Sequence, residues 1–482
     1  MLIQKAVLSK LRLFIYSQKT LKMKTAFIFF VVVLFSCFTH AQNITPEVLG
    51  KIKDNYNSSK PNIAVINALM NNDLKSLVSN HANMVKPDGY FKYRVKTAGI
   101  TDQKSSGRCW LFASLNIYRA QVIEKYNLSD FEFSQNYLYF FDQLEKANLF
   151  LQGIIETADK PLDDRRVEWL MKNTISDGGV WGGFANLVTK YGLVPAEIMP
   201  ETKSSNDTRF ISSVLTTLLR QDALALRAAF EGKKSVAEIQ QMKIKMLSEV
   251  YKVLVYHLGE PPVSFKYRFI DKNKVAGEYK EYTPLSFYEE TTIFNANDYI
   301  MFMDDPAKEY YKLYEVQYDR NVQEGINWKY INVPADVLKP MAMESIKDNE
   351  AMYFSCDVGK QYDKNSSTLD INNFDYESLY GIEFTMNKKQ RIQTFESGST
   401  HGMTLVGFDV DEYGRPNKWL IENSWGPIGF DNGHLIMTDE WFDEYMFRLV
   451  INKKYVPGKI QDILKQKAIM LPPWDPMFSE DK

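Results

Sequence analysis

The sequence predicts an α+β fold, with helices gathered in the middle of the chain and strands after them. Residues 205–259 space their apolar side chains at helical intervals. Residues 404–438 break into short apolar runs separated by turn residues. Segregated helices and strands belong to α+β folds, whereas strict alternation would indicate a doubly wound sheet. Composition agrees with a globular chain: 482 residues, 45% hydrophobic and 24% charged, exclude disordered, collagen-like and polytopic membrane classes.

The first element stands apart. Residues 1–41 hold Lys5, Lys10, Arg12, Lys19, Lys22 and Lys24 and no acidic residue, and Ala26 to Phe35 is wholly apolar. With Thr39-His40-Ala41 as a small-residue exit, this predicts a secretory signal peptide cut after Ala41. The apolar core is shorter than the roughly 20 residues of a stable membrane span. Met23 is an alternative start. Lipoprotein processing at Cys37 is a rival, with the bulky Phe35 against it. Export to the periplasm or the exterior is therefore expected. The near balance of 58 basic and 60 acidic residues hides this division, because losing six cations leaves 52 against 60, a net of -8. An acidic mature surface argues against nucleic-acid binding, which needs clustered Lys and Arg.

Residues 42–99 form a polar N-terminal segment, with a helix expected around Asn62–Val78 and a strand at Tyr90–Thr97. Asp207 is placed to cap a helix carrying Phe210, Ile211, Val214, Leu215, Leu218 and Leu219. Ser235 to Glu238 has capping-box form. The helix it opens carries Ile239, Met242, Met246, Val250 and Leu254 on one face and ends at Gly259 before Pro261-Pro262. Phe265 to Tyr318 is aromatic-rich and mixed. Strands are then expected at Thr404–Val410, Lys418–Glu422 and His434–Thr438, with turns at 411–414 and 431–433.

Common metal and phosphate signatures are missing: there is no His-Glu-x-x-His, no Cys-x-x-Cys, no P-loop and no Gly-x-Ser-x-Gly. Neither a cofactor nor a metal is implied. The scarce residues then carry the information. Cys109 opens a helix-forming run to about Tyr126, where unpaired N–H groups and the helix dipole favour a thiolate. A buried structural cysteine is the competing reading, and Gly107 with the polar loop before it favours exposure. A thiolate that cleaves amides needs a proton carrier, histidine first. His40 leaves with the leader, His81 is in a polar stretch, His257 ends a helix, and His434 follows a turn. His401, at the start of an apolar strand, is left by elimination. Asn423, in Glu422-Asn423-Ser424-Trp425-Gly426, either orients that imidazole through its amide or simply makes a turn. Trp425 is placed to roof such a bond. Cys109 and Cys356 are not expected to pair, Cys356 lying in an apolar stretch.

These residues resemble the papain-like cysteine peptidases, and one branch closely: the bleomycin hydrolase and aminopeptidase C family. The resemblance runs from about Tyr93 to Pro476. It rests on Gln103 to Ala113 (Gln-Lys-Ser-Ser-Gly-Arg-Cys-Trp-Leu-Phe-Ala), Phe133 to Leu138, Asp177-Gly178-Gly179, Lys190 to Pro195, Cys356 to Lys360 and Trp474 to Met477. It implies a two-lobed fold, a helical lobe (100–204) with the nucleophile and a β-rich lobe (351–460) with His and Asn. A large helical and mixed insertion (205–350) lies between them, and a C-terminal arm (461–482) enters the cleft. Cys109 is the implied nucleophile, His401 the base, Asn423 its orienting partner and Gln103 the oxyanion donor beside the Cys109 N–H. Asp177, Gly178, Gly179 and Trp425 are implied to bind substrate. The implied activity is a thiol aminopeptidase acting on peptides, assembled as a homohexamer.

Three features depart from the family. Its tails finish with small residues, where this chain has Phe478-Ser479-Glu480-Asp481-Lys482. Gly402 replaces the usual Ala after the histidine, a change expected to leave the chemistry alone. The leader is the third, since familiar members are cytosolic. Alternative readings are an oligopeptidase or endopeptidase with an uncapped cleft and, from another class, an inactive scaffold or nucleic-acid-binding ring.

Overall fold

The structure, a computed structural model, describes residues 43–60, 62–83, 88–97, 99–292 and 295–478. The leader expected over 1–41, with Met23 and Cys37, and the tail residues Ser479 to Lys482 lie outside the described residues. The chain divides into two compact units, Met1–Leu77 and Val78–Lys482. In the first, helices Pro46–Ser58 and Ile63–Asn71 start at Thr45 and Asn62, whose side chains accept backbone N–H bonds. The helix expected around Asn62–Val78 is interrupted at Asn72-Asp73, and Leu74–Val78 forms a separate short turn of helix.

The second unit is built around the helix Cys109–Lys125, in which every residue from Trp110 to Arg119 is buried. A helix buried on all sides needs neighbours all round. It lies against the helices Gln135–Glu156 and Trp181–Tyr191 and against the strand His401–Val410. The helix Arg209–Glu231 and its successor Val236–Leu258 pack on Gln135–Glu156, and Ile211, Leu215, Leu219, Val250 and Leu254 are buried. The capping box at Ser235 and Glu238 is present, and Gly259 ends the second helix at φ 89°. Thr208 directly precedes Arg209 and makes no side-chain cap bond, while the Asp207 carboxylate accepts Arg209 N–H at 3.4 Å and pairs with its guanidinium at 2.6 Å. Phe210, counted in the apolar stripe, is 71% exposed.

A single 12-stranded sheet gathers most of the β structure. Its order runs 469–471, 312–316, 329–332, 299–303, 446–452, 352–356, 401–410, 416–422, 434–438, 368–369 and 362–363, with 93–94 pairing the strand that begins at His401. The strand expected at Tyr90–Thr97 is thus reduced to Tyr93–Arg94. Strands 299–303, 312–316 and 329–332, from the segment 205–350, belong to the same sheet as His401, whereas 265–267 and 280–282 pair separately. The strand His401–Val410 is central, antiparallel to Met352–Cys356 on one side and Pro416–Glu422 on the other. That register sets Thr404 opposite Glu422 and carries Asn423, the next residue, towards the His401 end.

Candidate active site

Cys109 is the first residue of its helix. The opening N–H groups of a helix have no acceptor within it and carry the positive end of the dipole, which stabilises sulfur as an anion. The backbone N–H of Gly402 also donates to Cys109 Sγ at 3.4 Å. The loop before the sulfur is held firmly. Arg108 is fully buried and makes a two-pronged pair with Glu201 at 3.0 and 2.7 Å, between the rings of Phe112 and Tyr139.

Asp177, expected to bind substrate, turns its carboxylate to this loop. It accepts from Gly107 N–H at 2.6 Å and from the Thr208 hydroxyl, and its carbonyl accepts from Trp110 Nε1–H at 2.9 Å. Asp177, Gly178 and Gly179 all line the cavity, and a Cβ on Gly179 would come within 2.6 Å of the Trp110 ring. Lys146 supports this edge by donating to Ser176 O at 3.0 Å and Gly178 O at 2.5 Å.

His401 is buried, with Nε2 at 2.9 Å from Asn423 Oδ1. A carbonyl oxygen is an acceptor only, so Nε2 carries the proton and Nδ1 of the neutral ring is the basic nitrogen. Trp425 stacks on the imidazole, centroids 4.8 Å apart and planes 27° inclined. It roofs that bond and is not among the residues that line the cavity. Burial pushes the His401 imidazole down to about 4, against the opposing effect of the Asn423 bond. The ring is therefore neutral at pH 7 and able to accept a proton.

Gln103 stands beside Cys109 in the cavity wall. Its Oε1 accepts from Ser424 Oγ–H at 2.6 Å and its Nε2 donates to Ser106 O at 2.6 Å, which leaves a second N–H on that nitrogen. Ser424 also accepts Gln103 N–H through its carbonyl at 2.9 Å. The Ser424 side chain thus fixes which end of the amide is the donor, a role with no signal in the sequence beyond its place after Asn423.

The residue after the histidine is constrained by packing. A Cβ on Gly402 would lie 2.9 Å from Tyr353 Oη and 3.3 Å from Trp110 Cα. The absence of that methyl makes room for the buried Tyr353 phenol. Cys356 faces His401 across the strand pair, is buried and free, and burial pushes its thiol well above the usual range. No disulfide joins Cys109 to Cys356.

The cavity holds about 480 Å³ and extends from Cys109 and His401 to Pro473, Met477 and Phe478 near the end of the chain. A helix-borne cysteine, a neutral buried imidazole fixed by an amide, and a side-chain amide donor define the cysteine peptidase class. Comparisons agree. Residues 43–478 match the Peptidase C1-like family. Bleomycin hydrolase of Rattus norvegicus is 37% identical over 90% of this chain and 98% of its own. Aminopeptidase C of Listeria monocytogenes is 38% identical over 86% and 93%. The crystal structure of PepW from Lactobacillus rhamnosis superposes with a TM-score of 0.88 at 36% identity, covering 91% of this chain and all of that one. The chain belongs to the Peptidase C1-like family. It is a papain-like cysteine peptidase.

Proposed function

We propose that this peptidase is a thiol aminopeptidase that removes N-terminal residues from peptides through an acyl-enzyme. The observation that carries this reading is the C-terminal arm: Met477 and Phe478 share one cavity with Cys109 and His401. An arm lying there occupies part of the cleft that a longer substrate would need on its amino side. The tail beyond Phe478 carries Glu480 and Asp481, whose carboxylates are the chemical complement of a peptide's ammonium group. Relatives named aminopeptidase C and bleomycin hydrolase support the same reading.

In the proposed reaction Cys109 Sγ attacks the scissile carbonyl while His401 Nδ1 takes the thiol proton. The second N–H of Gln103 Nε2 and the Cys109 N–H bind the developing oxyanion. His401 returns the proton to the departing amine, Asn423 holding the ring throughout. His401 then takes a proton from water, which attacks the thioester carbonyl. The cleaved residue leaves with its new carboxyl group and Cys109 regains its proton.

The test pairs a free peptide with its N-acetylated copy. The free peptide should be shortened one residue at a time and the acetylated one left intact. Internal cleavage of both would instead support the uncapped oligopeptidase or endopeptidase.

Export through residues 1–41 and assembly as a homohexamer belong to the same proposal. The family match begins at residue 43, just past the expected cut after Ala41. Exposed apolar side chains on the two long helices, Phe210 and Tyr256 at 71% and 75% exposure, support a subunit contact there. Mass measurement of the native particle, and of the exported chain's N-terminus, tests both points.

A further inference from the structure

Arg448 lies on the strand Met446–Asn452, opposite Ser355 in register, and lines the active-site cavity. It is 7% exposed and shares the cavity wall with Asp319. Its Nε is buried without a hydrogen-bond partner. Withdrawing a guanidinium from water is costly, so its contacts are informative. Nη2 donates to the carbonyl of Met477 at 3.2 Å, and the guanidinium lies over the Phe478 ring at 5.0 Å and the Trp328 ring at 5.3 Å. The side chain therefore grips the arm twice, by a carbonyl and by a ring.

The arm is secured upstream as well. Met477 N–H donates to Asp475 Oδ1 at 3.2 Å, and Lys308 pairs with the same oxygen at 2.9 Å. Phe478 also meets the Tyr330 ring, with centroids 6.0 Å apart. Phe478 is the first tail residue to depart from the small residues of the family, and it is the one the guanidinium covers. The four residues after it include Glu480 and Asp481, opposite in sign to Arg448.

We propose that Arg448 is a positioning residue: it fastens the C-terminal arm across the cavity and so restricts cleavage to substrates with a free amino end. The proposal rests on the reading of the arm as a cap. Arg448 acts on the arm and takes no part in bond making.

The test is the ratio of kcat/KM for an N-acetylated peptide to that for the free peptide, with product ladders by mass spectrometry, in the full chain. Loss of active protein scales both rates equally and leaves the ratio unmoved, so a merely structural role would not register. R448M, which keeps the stem and removes charge and donors, should raise the ratio about tenfold or more, in line with a lost hydrogen bond from a charged group. R448K should fall between it and the parent. F478G, which leaves Arg448 in place, should raise the ratio too, and decides the matter should R448M not fold. Deleting residues 476–482 is the reference. If deletion raises the ratio while R448M and F478G leave it at the parent value, Arg448 is not the fastening and the proposal falls alone. If deletion itself leaves the ratio unchanged, the capping reading fails and the proposal with it.

Discussion

The backbone N–H of Gly402 meets Cys109 Sγ at 3.4 Å, and the position its Cβ would take lies 2.9 Å from Tyr353 Oη. One residue thus supplies a donor to the sulfur and the space for a buried phenol. Thr404, two residues on, ties the same strand to the nucleophile helix by donating to Ala113 O at 3.2 Å. The helix and the strand that bear Cys109 and His401 are joined at the level of the reaction centre.

Gly402→Ala should consequently destabilise the protein by about 1–3 kcal/mol, the usual weight of overpacking a tight site. It should also lower kcat/KM by displacing the N–H from the sulfur. Adding Tyr353→Phe removes the clashing oxygen and should recover most of the stability. Thermal denaturation of the two variants and the parent checks this. Equal stability of parent and Gly402→Ala would contradict the packing argument.

Ser424→Ala removes the hydroxyl that holds Gln103 Oε1 and should cost less than Gln103→Ala. Loss of an oxyanion donor costs about 10²–10³ in kcat. Freeing the amide to turn should cost about tenfold, a lost buried hydrogen bond's worth. Because both act through one donor, the double variant should be no slower than Gln103→Ala alone. Multiplicative losses in kcat would show that Ser424 acts elsewhere.

The acid limb of kcat/KM should lie near pH 4, where burial places His401. The base is the neutral ring, so activity is present above that value and lost as pH falls through it. The same shift bears on stability: between about 6.5 and 4 the unfolded chain takes up a proton that the native ring refuses. This group's contribution is complete above about 6.5, declines as pH falls, and is gone below about 4. A limb centred near 6.5 would contradict a buried neutral imidazole.

Glu201→Gln leaves Arg108 fully buried without its counter-charge. Such broken pairs cost about 3–5 kcal/mol. Chemical denaturation should show a large loss, and the slackened loop should slow alkylation of Cys109. A change within about 0.5 kcal/mol, the range of ordinary surface substitutions, would mean the pair does not brace the loop.

What was legible in the sequence depended on how local its cause is. The long helices, the Ser235 capping box and the strands at 416–422 and 434–438 follow from periodicity and turn chemistry within a few residues. Cys109, His401, Asn423 and Gln103 stand in distinctive motifs, and the fold brings them together. Relations between distant segments left no such trace. Gln103 and Ser424 are 321 residues apart, and Tyr353 reads as one more apolar residue of a buried strand. The bond from Gly107 N–H to the Asp177 carboxylate joins residues 70 apart and is likewise set by tertiary packing. The Asp207 carboxylate both accepts Arg209 N–H and pairs with the Arg209 guanidinium, and the second of these left no mark in the helical spacing.

The central claim is that one thiol performs the hydrolysis. The measurement that tests it most directly is the kcat/KM of Cys109→Ala on a peptide with a free amino end, with parental folding verified by thermal denaturation. The account predicts no detectable hydrolysis, the peptide remaining whole by mass spectrometry. Hydrolysis at the parental rate by that variant would contradict it.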